Sequence, residues 1–222
     1  MKKFIITGCI AVFAATSGWA ETINGIDVSH YQGDIDWTQV KASGVVFAYA
    51  KAVQGDDGLD PDFAQNWSEM KDAGLLRGAY DFFVVGDDPT TQAQDYIGKV
   101  MLDPGDLPPM VDIETESSGV ESDPAQIADL HSYLETLTTH YGVTPIIYTS
   151  PGFWNSYFDD SFSDYPLWVA EYGVSAPKEV TGWTVWTIWQ HSQSGSVPGI
   201  TGYVDLDYFN GALSQLEKFT LK

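Results

Sequence analysis

Acidic residues recur where short apolar runs of the chain end, and their type and spacing suit acid–base chemistry. Asp112 and Glu114 stand two residues apart in the run Met-Val-Asp-Ile-Glu. In a β-strand two such side chains leave the same face, with Cα atoms roughly 6.5 Å apart. Glycoside hydrolysis uses carboxyl groups paired at this range, one to protonate the leaving oxygen and one to stabilise positive charge at the sugar. The other acids at such ends are Asp27, Asp81, Glu171, Asp205 and Asp207.

The same acids admit two other interpretations. Acids cap strand ends and the helices that follow, and a chain with 31 acidic residues places some of them there by chance. A cluster of oxygen ligands also suits Ca²⁺ or Mg²⁺, although the sequence has no Asp-rich calcium loop. Asp112 and Glu114 favour catalysis, because a charge buried within an apolar run is costly unless it has a partner or a task. We therefore expect no metal and no other cofactor.

The elements that must position these acids alternate along the chain. An acidic residue precedes proline at Asp60-Pro61, Asp88-Pro89 and Asp123-Pro124, a pattern that predicts helix starts. Gly74 and Gly142 stand where two of these helices should end, and the Gly/Ser-rich stretch 192–202 predicts a loop. The predicted strands, rich in β-branched and aromatic residues, cover 25–28, 45–50, 78–84, 110–113, 145–148, 167–170, 185–190 and 203–206.

Alternation of strands and helices predicts parallel pairing with right-handed crossovers, and eight strands predict an α/β fold of the TIM-barrel type. The 202 residues that follow position 20 lie near the lower end of the usual range of about 200 to 400. We therefore expect a single domain folded as an irregular, partly incomplete and partly opened (β/α) barrel, with short or missing helices after Tyr148. The carboxyl ends of barrel strands share one face, which holds the active site.

The first twenty residues have the pattern of a secretory signal peptide. Lysines at positions 2 and 3 precede a mostly apolar run over 4–15, and Gly18 and Ala20 are small residues at the spacing of a cleavage site. The run is too short to span a membrane. An uncleaved anchor and lipidation at Cys9, the only cysteine, are the alternatives. We expect residues 21–222 to form an exported protein, periplasmic or extracellular, without disulfides and without a membrane partner.

The chain is strongly acidic. Its formal net charge is −21, and loss of Lys2 and Lys3 with the leader makes it −23. Such a charge repels phosphates and argues against nucleic acid as a partner. The simplest explanation of this charge is that it keeps the protein soluble.

Aromatic rings near the predicted strand ends suggest how a sugar would be held. Apolar faces of sugars stack on such rings, while the polar tips of Tyr and Trp bind hydroxyl groups. Tyr80, Tyr148 and Trp168 are the preferred candidates, although packing inside the barrel is the commoner use of any one ring. Other rings in comparable positions are Tyr31, Phe82, Tyr172 and Trp189.

The sequence resembles glycoside hydrolase family 25, the Chalaropsis-type lysozymes, over nearly all of its length after the leader. The opening block Gly-Ile-Asp-Val-Ser-His-Tyr-Gln-Gly at 25–33 and the Asp-x-Glu strand at 111–114 are the most specific segments. Shorter matching segments occur in the order of the family at 35–37, 51–52, 78–80, 147–149, 167–172, 189–190 and 204–206.

This resemblance implies a barrel enzyme that cleaves the β-1,4 bond between N-acetylmuramic acid and N-acetylglucosamine in peptidoglycan. It implies Glu114 as general acid and later general base, with Asp112 steadying the substrate's own N-acetyl group as nucleophile. Asp27 and Asp205 match the other two acidic positions of the family's site. With the aromatic and polar positions nearby, the expected substrate-binding residues are Tyr80, Asp81, Tyr148, Trp168, Tyr172 and Gln190. We expect a monomer, since a polymeric substrate needs an open groove.

Two departures from the family pattern lie near these positions. The chain has Gln54 where many members have Glu, and Asp81 where many have His. If Asp81 lies close to Glu114, its charge raises the pKa of Glu114, and Asp81→Asn should lower the alkaline limb of the rate profile. The alternatives to a muramidase are a peptidoglycan-binding module without turnover and a hydrolase of another N-acetylated polysaccharide.

Overall fold

In the computed structural model of the protein, residues 23–55, 58–114 and 123–222 are described. In this part of the chain eight strands close into one barrel in chain order. The strands are β1 (Ile23–Val28), β2 (Phe47–Gln54), β3 (Leu76–Phe82), β4 (Met110–Asp112), β5 (Ile146–Thr149), β6 (Leu167–Ala170), β7 (Ile188–Gly195) and β8 (Val204–Phe209). The helices are α1 (Trp37–Ala42), α2 (Phe63–Asp72), α3 (Pro89–Lys99), α4 (Pro124–Tyr141), α5 (Pro151–Tyr157) and α6 (Leu213–Phe219).

Two of the three expected helix starts are confirmed. Asp88 and Asp123 cap α3 and α4, each followed by proline at the first helical position, and Gly142 ends α4 in the left-handed conformation. The start at Asp60-Pro61 is wrong, because α2 begins only at Phe63. Before α2 the chain turns at Asp60, whose carboxylate accepts hydrogen bonds from the backbone N–H and the ring of His30.

The expected α/β barrel is confirmed, but its expected partial opening is wrong, because the eight strands close around the barrel. The irregularity lies in the direction of one strand. Strands β1 to β7 pair in parallel, whereas β8 runs antiparallel to both β7 and β1. Uniformly parallel pairing was therefore a wrong expectation. A parallel crossover needs a dozen or more residues, and the short link between β7 and β8 allows only a hairpin. The predicted loop at 192–202 is partly strand, because β7 continues to Gly195.

Alternating side chains divide the core into two layers. Outward-facing residues such as Ile26, Val111 and Ile147 pack against the helices. Inward-facing residues, including Phe47, Tyr49, Tyr80, Met110, Tyr148 and Trp168, fill the barrel. Because side chains alternate between the two faces of a strand, this division decides which acids point into the barrel.

Glycines make room for the inward rings. A Cβ atom on Gly25 would lie 2.2 Å from the ring of Phe47, and one on Gly78 would lie 2.2 Å from the ring of Tyr49. The interior is thus filled below the strand ends, and the space that remains open lies at the carboxyl ends of the parallel strands.

Candidate active site

A pocket of about 250 Å³ opens at this end of the barrel. Its position follows from the fold, since the carboxyl ends of the parallel strands of a β/α barrel meet at one face. A depression of about 550 Å³ at the opposite end, beside the C-terminus, holds a single acidic side chain, Asp164. The residues that line the pocket are Asp27, Val28, Ser29, Tyr31, Gln32, Lys51, Tyr80, Phe82, Met110, Asp112, Glu114, Tyr148, Tyr172, Gln190, Gln193 and Asp205.

Strand β4 delivers the Asp-x-Glu pair. Asp112 shares the inward parity of Met110, and Glu114 follows two residues further on. Asp112 is 7% exposed, and its Oδ1 atom is buried without a hydrogen-bond donor among the described residues. Burial raises the pKa of Asp112 well above its ordinary value, and the charges of Glu114 and Asp27 raise it further. The pair can therefore keep a proton at a pH at which isolated carboxyl groups are ionised.

Glu114 is half-buried and better placed than Asp112 to exchange a proton with a bound molecule. Burial raises the pKa of Glu114, and so does the Asp205 carboxylate, while the nearby Tyr148 hydroxyl group and the charge of Lys51 lower it. These opposing contributions leave the pKa of Glu114 above its usual range. A carboxyl group with a raised pKa that also faces solvent can act as a general acid.

Strands β1 and β8 bring two further acids together. Asp27 near the end of β1 is the direct cross-strand partner of Asp205. Asp205 lies near the start of β8, and it reaches the same face as Asp27 only because β8 runs in the reverse direction. Burial raises the pKa of Asp205 to about 6. Burial also raises the pKa of Asp27, and the charge of Asp205 adds to it. The pocket therefore concentrates acidic groups opposite β4.

Gln190 on β7 is hydrogen-bonded to three other side chains of the pocket. Its Nε2 atom donates to Asp27 Oδ2 at 2.7 Å. Its Oε1 atom accepts hydrogen bonds from the hydroxyl groups of Tyr148, at 2.8 Å, and Tyr172. This bonding fixes the orientation of the amide and holds in one geometry three pocket side chains: Asp27 on β1, Tyr148 on β5 and Tyr172 just after β6.

Lys51 on β2 is a pocket residue that sequence reasoning did not single out. Its Nζ atom donates to Gln54 Oε1 at 2.6 Å and lies 4.8 Å from the centre of the Phe82 ring. Burial lowers the pKa of Lys51, and the charges of Asp112 and Asp60 oppose this effect. Its position in the strand could have identified it. Lys51 follows Phe47 and Tyr49 at intervals of two, so its side chain faces into the barrel as theirs do.

Eight of the ten expected site residues line the pocket: Glu114, Asp112, Asp27, Asp205, Tyr80, Tyr148, Tyr172 and Gln190. Asp81 does not, because it points outward between Tyr80 and Phe82, is fully buried and accepts a hydrogen bond from Tyr133 at 2.8 Å. The expectation that Asp81 contacts the substrate is therefore wrong. The groups that shift the pKa of Glu114 do not include Asp81 either.

Trp168 also lies away from the pocket, and its expected substrate contact is corrected. Its ring is fully buried inside the barrel, where Nε1 donates to Asp207 Oδ1 at 3.0 Å. Among the other acids at strand ends, Asp207 is buried beneath the pocket, and Glu171 turns outward to bind Lys178 Nζ at 2.6 Å. Residues 1–22 lie outside the described residues, and with them the expected signal peptide and Cys9.

The described residues contain no group of three or more His, Cys, Asp or Glu side chains arranged to hold a metal ion. No helix in the same part of the chain has both the length and the apolar character needed to cross a membrane.

Paired carboxyl groups beside tyrosine rings, at this face of a β/α barrel, define a carbohydrate-cleaving hydrolase. Residues 26–200 match the family described as glycosyl hydrolases family 25. The chain belongs to this family of glycoside hydrolases.

The relatives of the chain include bacterial and fungal enzymes. It is 36% identical over 214 residues to "Lysozyme M1" of Streptomyces globisporus, a match that covers 90% of this chain and 73% of that protein. It is 27% identical to the "N,O-diacetylmuramidase" of Chalaropsis sp, over 89% of this chain and 98% of that protein. The crystal structure of the bacterial lysozyme from Streptomyces coelicolor superposes with a TM-score of 0.85 at 33% identity, covering 89% of this chain and 96% of that one.

Proposed function

We propose that this protein is an N-acetylmuramidase, which hydrolyses the β-1,4 bond between N-acetylmuramic acid and N-acetylglucosamine in peptidoglycan. The observation that carries the proposal is the pairing of Asp112 with Glu114 in a pocket at the carboxyl ends of the strands of a family 25 barrel. The names of the relatives, lysozyme and N,O-diacetylmuramidase, support this substrate and bond.

Glu114 is the proposed general acid. Its half-buried carboxyl group, with a raised pKa, donates its proton to the glycosidic oxygen as the bond from that oxygen to C1 of the muramic acid unit breaks. The leaving sugar departs with a new hydroxyl group. Glu114 is then ionised, and it takes a proton from the water that attacks C1 in the second step.

Asp112 is the proposed partner of the substrate's N-acetyl group. In this substrate-assisted route, a known exception to the scheme with two enzymic carboxyl groups, the acetamido oxygen bonds to C1 and the incoming water later displaces it, so that the anomeric configuration is retained. The buried Oδ1 atom of Asp112 has no donor among the described residues. The N–H group of the substrate would satisfy that atom and be oriented by it.

Asp27 and Asp205 provide negative charge on the other side of the pocket. A positive charge that develops at C1 is stabilised by anions held in a poorly hydrated site. Tyr80, Tyr148, Tyr172 and Gln190 surround the same space and supply a ring surface and polar tips for the sugar. We propose that the protein acts as a monomer, since a polymeric substrate needs an open groove.

Export is part of the proposal. The basic start, the apolar run and the small residues Gly18 and Ala20 support cleavage after Ala20, so that the secreted protein begins at Glu21. N-terminal sequencing of protein recovered outside the cytoplasm tests this directly. A mature chain that still begins at Met1 would contradict it.

Digestion of purified peptidoglycan, followed by borohydride reduction of the new ends, tests the function. A muramidase produces reduced muramic acid ends. Reduced glucosamine ends would move the cleavage to the other bond, and binding without any product would support a binding module instead. Peptidoglycan whose muramic acid units lack the N-acetyl group tests the mechanism, because the substrate-assisted route predicts that these bonds stay intact.

A further inference from the structure

Two carboxyl groups meet directly beneath the pocket. Asp27 on β1 lines the pocket and is 7% exposed, whereas Asp207 on β8 is 1% exposed and does not line it. Asp207 lies two residues beyond Asp205 on a strand that descends into the barrel, opposite Gly25. The carboxyl groups of Asp207 and Asp27 face each other within hydrogen-bonding range.

The hydrogen bonds around this pair require a shared proton. Trp168 Nε1 donates to Asp207 Oδ1 at 3.0 Å, and Gln190 Nε2 donates to Asp27 Oδ2 at 2.7 Å. No N–H donor from the described residues reaches Asp207 Oδ2. An ionised carboxylate only accepts hydrogen bonds, so a bond between two carboxyl groups means that one of them carries a proton.

No counter-ion changes this conclusion. None of the ion pairs recorded in the described part of the chain involves Asp27 or Asp207. Two buried carboxyl groups in contact cannot both ionise without a nearby cation. The charges that face the pair come from Asp205 on β8, Asp112 on β4 and Glu114 after β4, and all three groups are acidic.

Depth decides which group holds the proton. Asp207 is the more buried of the two, and burial raises its pKa well above the ordinary value, with the charges of Asp27 and Asp205 raising it further. Burial and the charge of Asp205 raise the pKa of Asp27 as well, but Asp27 opens to the pocket, and the hydrogen bonds from Gln190 and Asp207 offset part of that rise. The deeper group therefore keeps the proton, and the group that faces the pocket is the anion.

We propose that Asp207 is a positioning residue that donates its proton in a hydrogen bond to Asp27, and so keeps Asp27 ionised and oriented towards the substrate. The proposal rests on the proposed function, because that function gives the Asp27 anion its task. It also explains why an acid, Asp207, lies where no substrate reaches. A protonated aspartic acid is a neutral hydrogen-bond donor, as an asparagine amide would be.

Two variants separate this role from the alternatives. Asp207→Asn keeps a neutral donor at the same place, whereas Asp207→Leu keeps the branched shape and removes the donor. Without that donor Asp27 takes up a proton more readily, so Asp207→Leu should lose about ten- to a hundredfold in kcat/KM, and its acid limb should move to higher pH. Asp207→Asn should recover most of that loss, with the acid limb of the wild type.

Other outcomes overturn the proposal. If Asp207→Asn loses as much activity as Asp207→Leu, the charge of Asp207 is what matters. If both variants keep wild-type kinetics, Asp207 has no positioning role. Circular dichroism melting of each variant identifies a folding defect, and the infrared comparison of the wild type with Asp207→Asn decides the matter if the Leu variant does not fold.

An infrared difference spectrum gives a readout that does not depend on activity. At pH 7 the wild type should show a protonated carboxylic acid band that Asp207→Asn lacks, and an unchanged band would contradict the proposal. If the wild type released no product from peptidoglycan but showed the band, the proposed function would fail while the protonation of Asp207 stood.

Discussion

Replacing Asp81 with asparagine should stabilise the protein at high pH and change little at low pH. Asp81 is fully buried and accepts a hydrogen bond from Tyr133, and burial raises its pKa from 3.8 to about 7. Because the folded pKa is the higher one, the folded state binds more protons than the unfolded state between these values. The stability of the wild type therefore falls as pH rises through that window.

The magnitude follows from the shift. A change of about 3 pKa units, at about 1.4 kcal/mol per unit, corresponds to a penalty of about 4 kcal/mol above pH 7 that is absent below pH 4. Asparagine cannot ionise, and its carbonyl oxygen can still accept from Tyr133. We expect Asp81→Asn to exceed the wild type in free energy of unfolding by up to about 4 kcal/mol at pH 8.

Urea unfolding of both proteins at pH 4.5 and at pH 8 measures this difference. Asp164→Asn is the matched control, because it removes one acid at an exposed position. Equal stability differences at the two pH values would refute the reasoning. The rate profile is a second readout: the charge of Asp81 contributes to the raised pKa of Asp112 but is not among the causes that shift the pKa of Glu114, so the alkaline limb should stay in place, contrary to the expectation from sequence.

Three further predictions concern the pocket and the surface. Lys51→Met removes a cation that lowers the pKa of Glu114, so the alkaline limb of kcat/KM should move to higher pH, and a downward shift would be inconsistent with this assignment. Tyr31 lines the pocket and is 81% exposed, so Tyr31→Ala should raise KM for long glycan strands by roughly two- to tenfold, the scale of a lost aromatic contact, with little effect on short oligosaccharides; equal effects on both would argue against an outer sugar position. The acidic surface predicts that turbidity clearing of intact anionic walls first rises as salt screens the repulsion, and a steady fall from low salt would count against it.

Much of the pocket could be predicted because its residues lie at the ends of strands that the sequence marks clearly. Asp27 and Asp112 stand at the ends of apolar runs, and in a β/α barrel those ends converge whatever the details of packing. The same rule wrongly placed Asp81 in the pocket. Strand parity separates the two cases, since Tyr80 and Phe82 face inward and the residue between them must face outward.

The antiparallel direction of β8, which carries Asp205, was not predicted. Its run looked like any other strand, and the sequence carries no local sign that β8 is antiparallel. Direction depends on the length of the link from β7 and on closure against β1, which are properties of the whole barrel. For the same reason the depth of Asp207, two residues further into the barrel, could not be read from the sequence.

The comparison of Glu114→Gln with Glu171→Gln on purified peptidoglycan tests the central claim most directly. Both variants replace a glutamate after a barrel strand, but Glu114 lines the pocket, whereas Glu171 binds Lys178 outside it. Loss of a general acid predicts that Glu114→Gln releases reduced muramic acid ends about 10²–10⁴-fold more slowly, with glycan binding retained, while Glu171→Gln stays close to the wild type. A Glu114→Gln variant that cleaves as fast as Glu171→Gln would contradict the assignment of Glu114 as the acid.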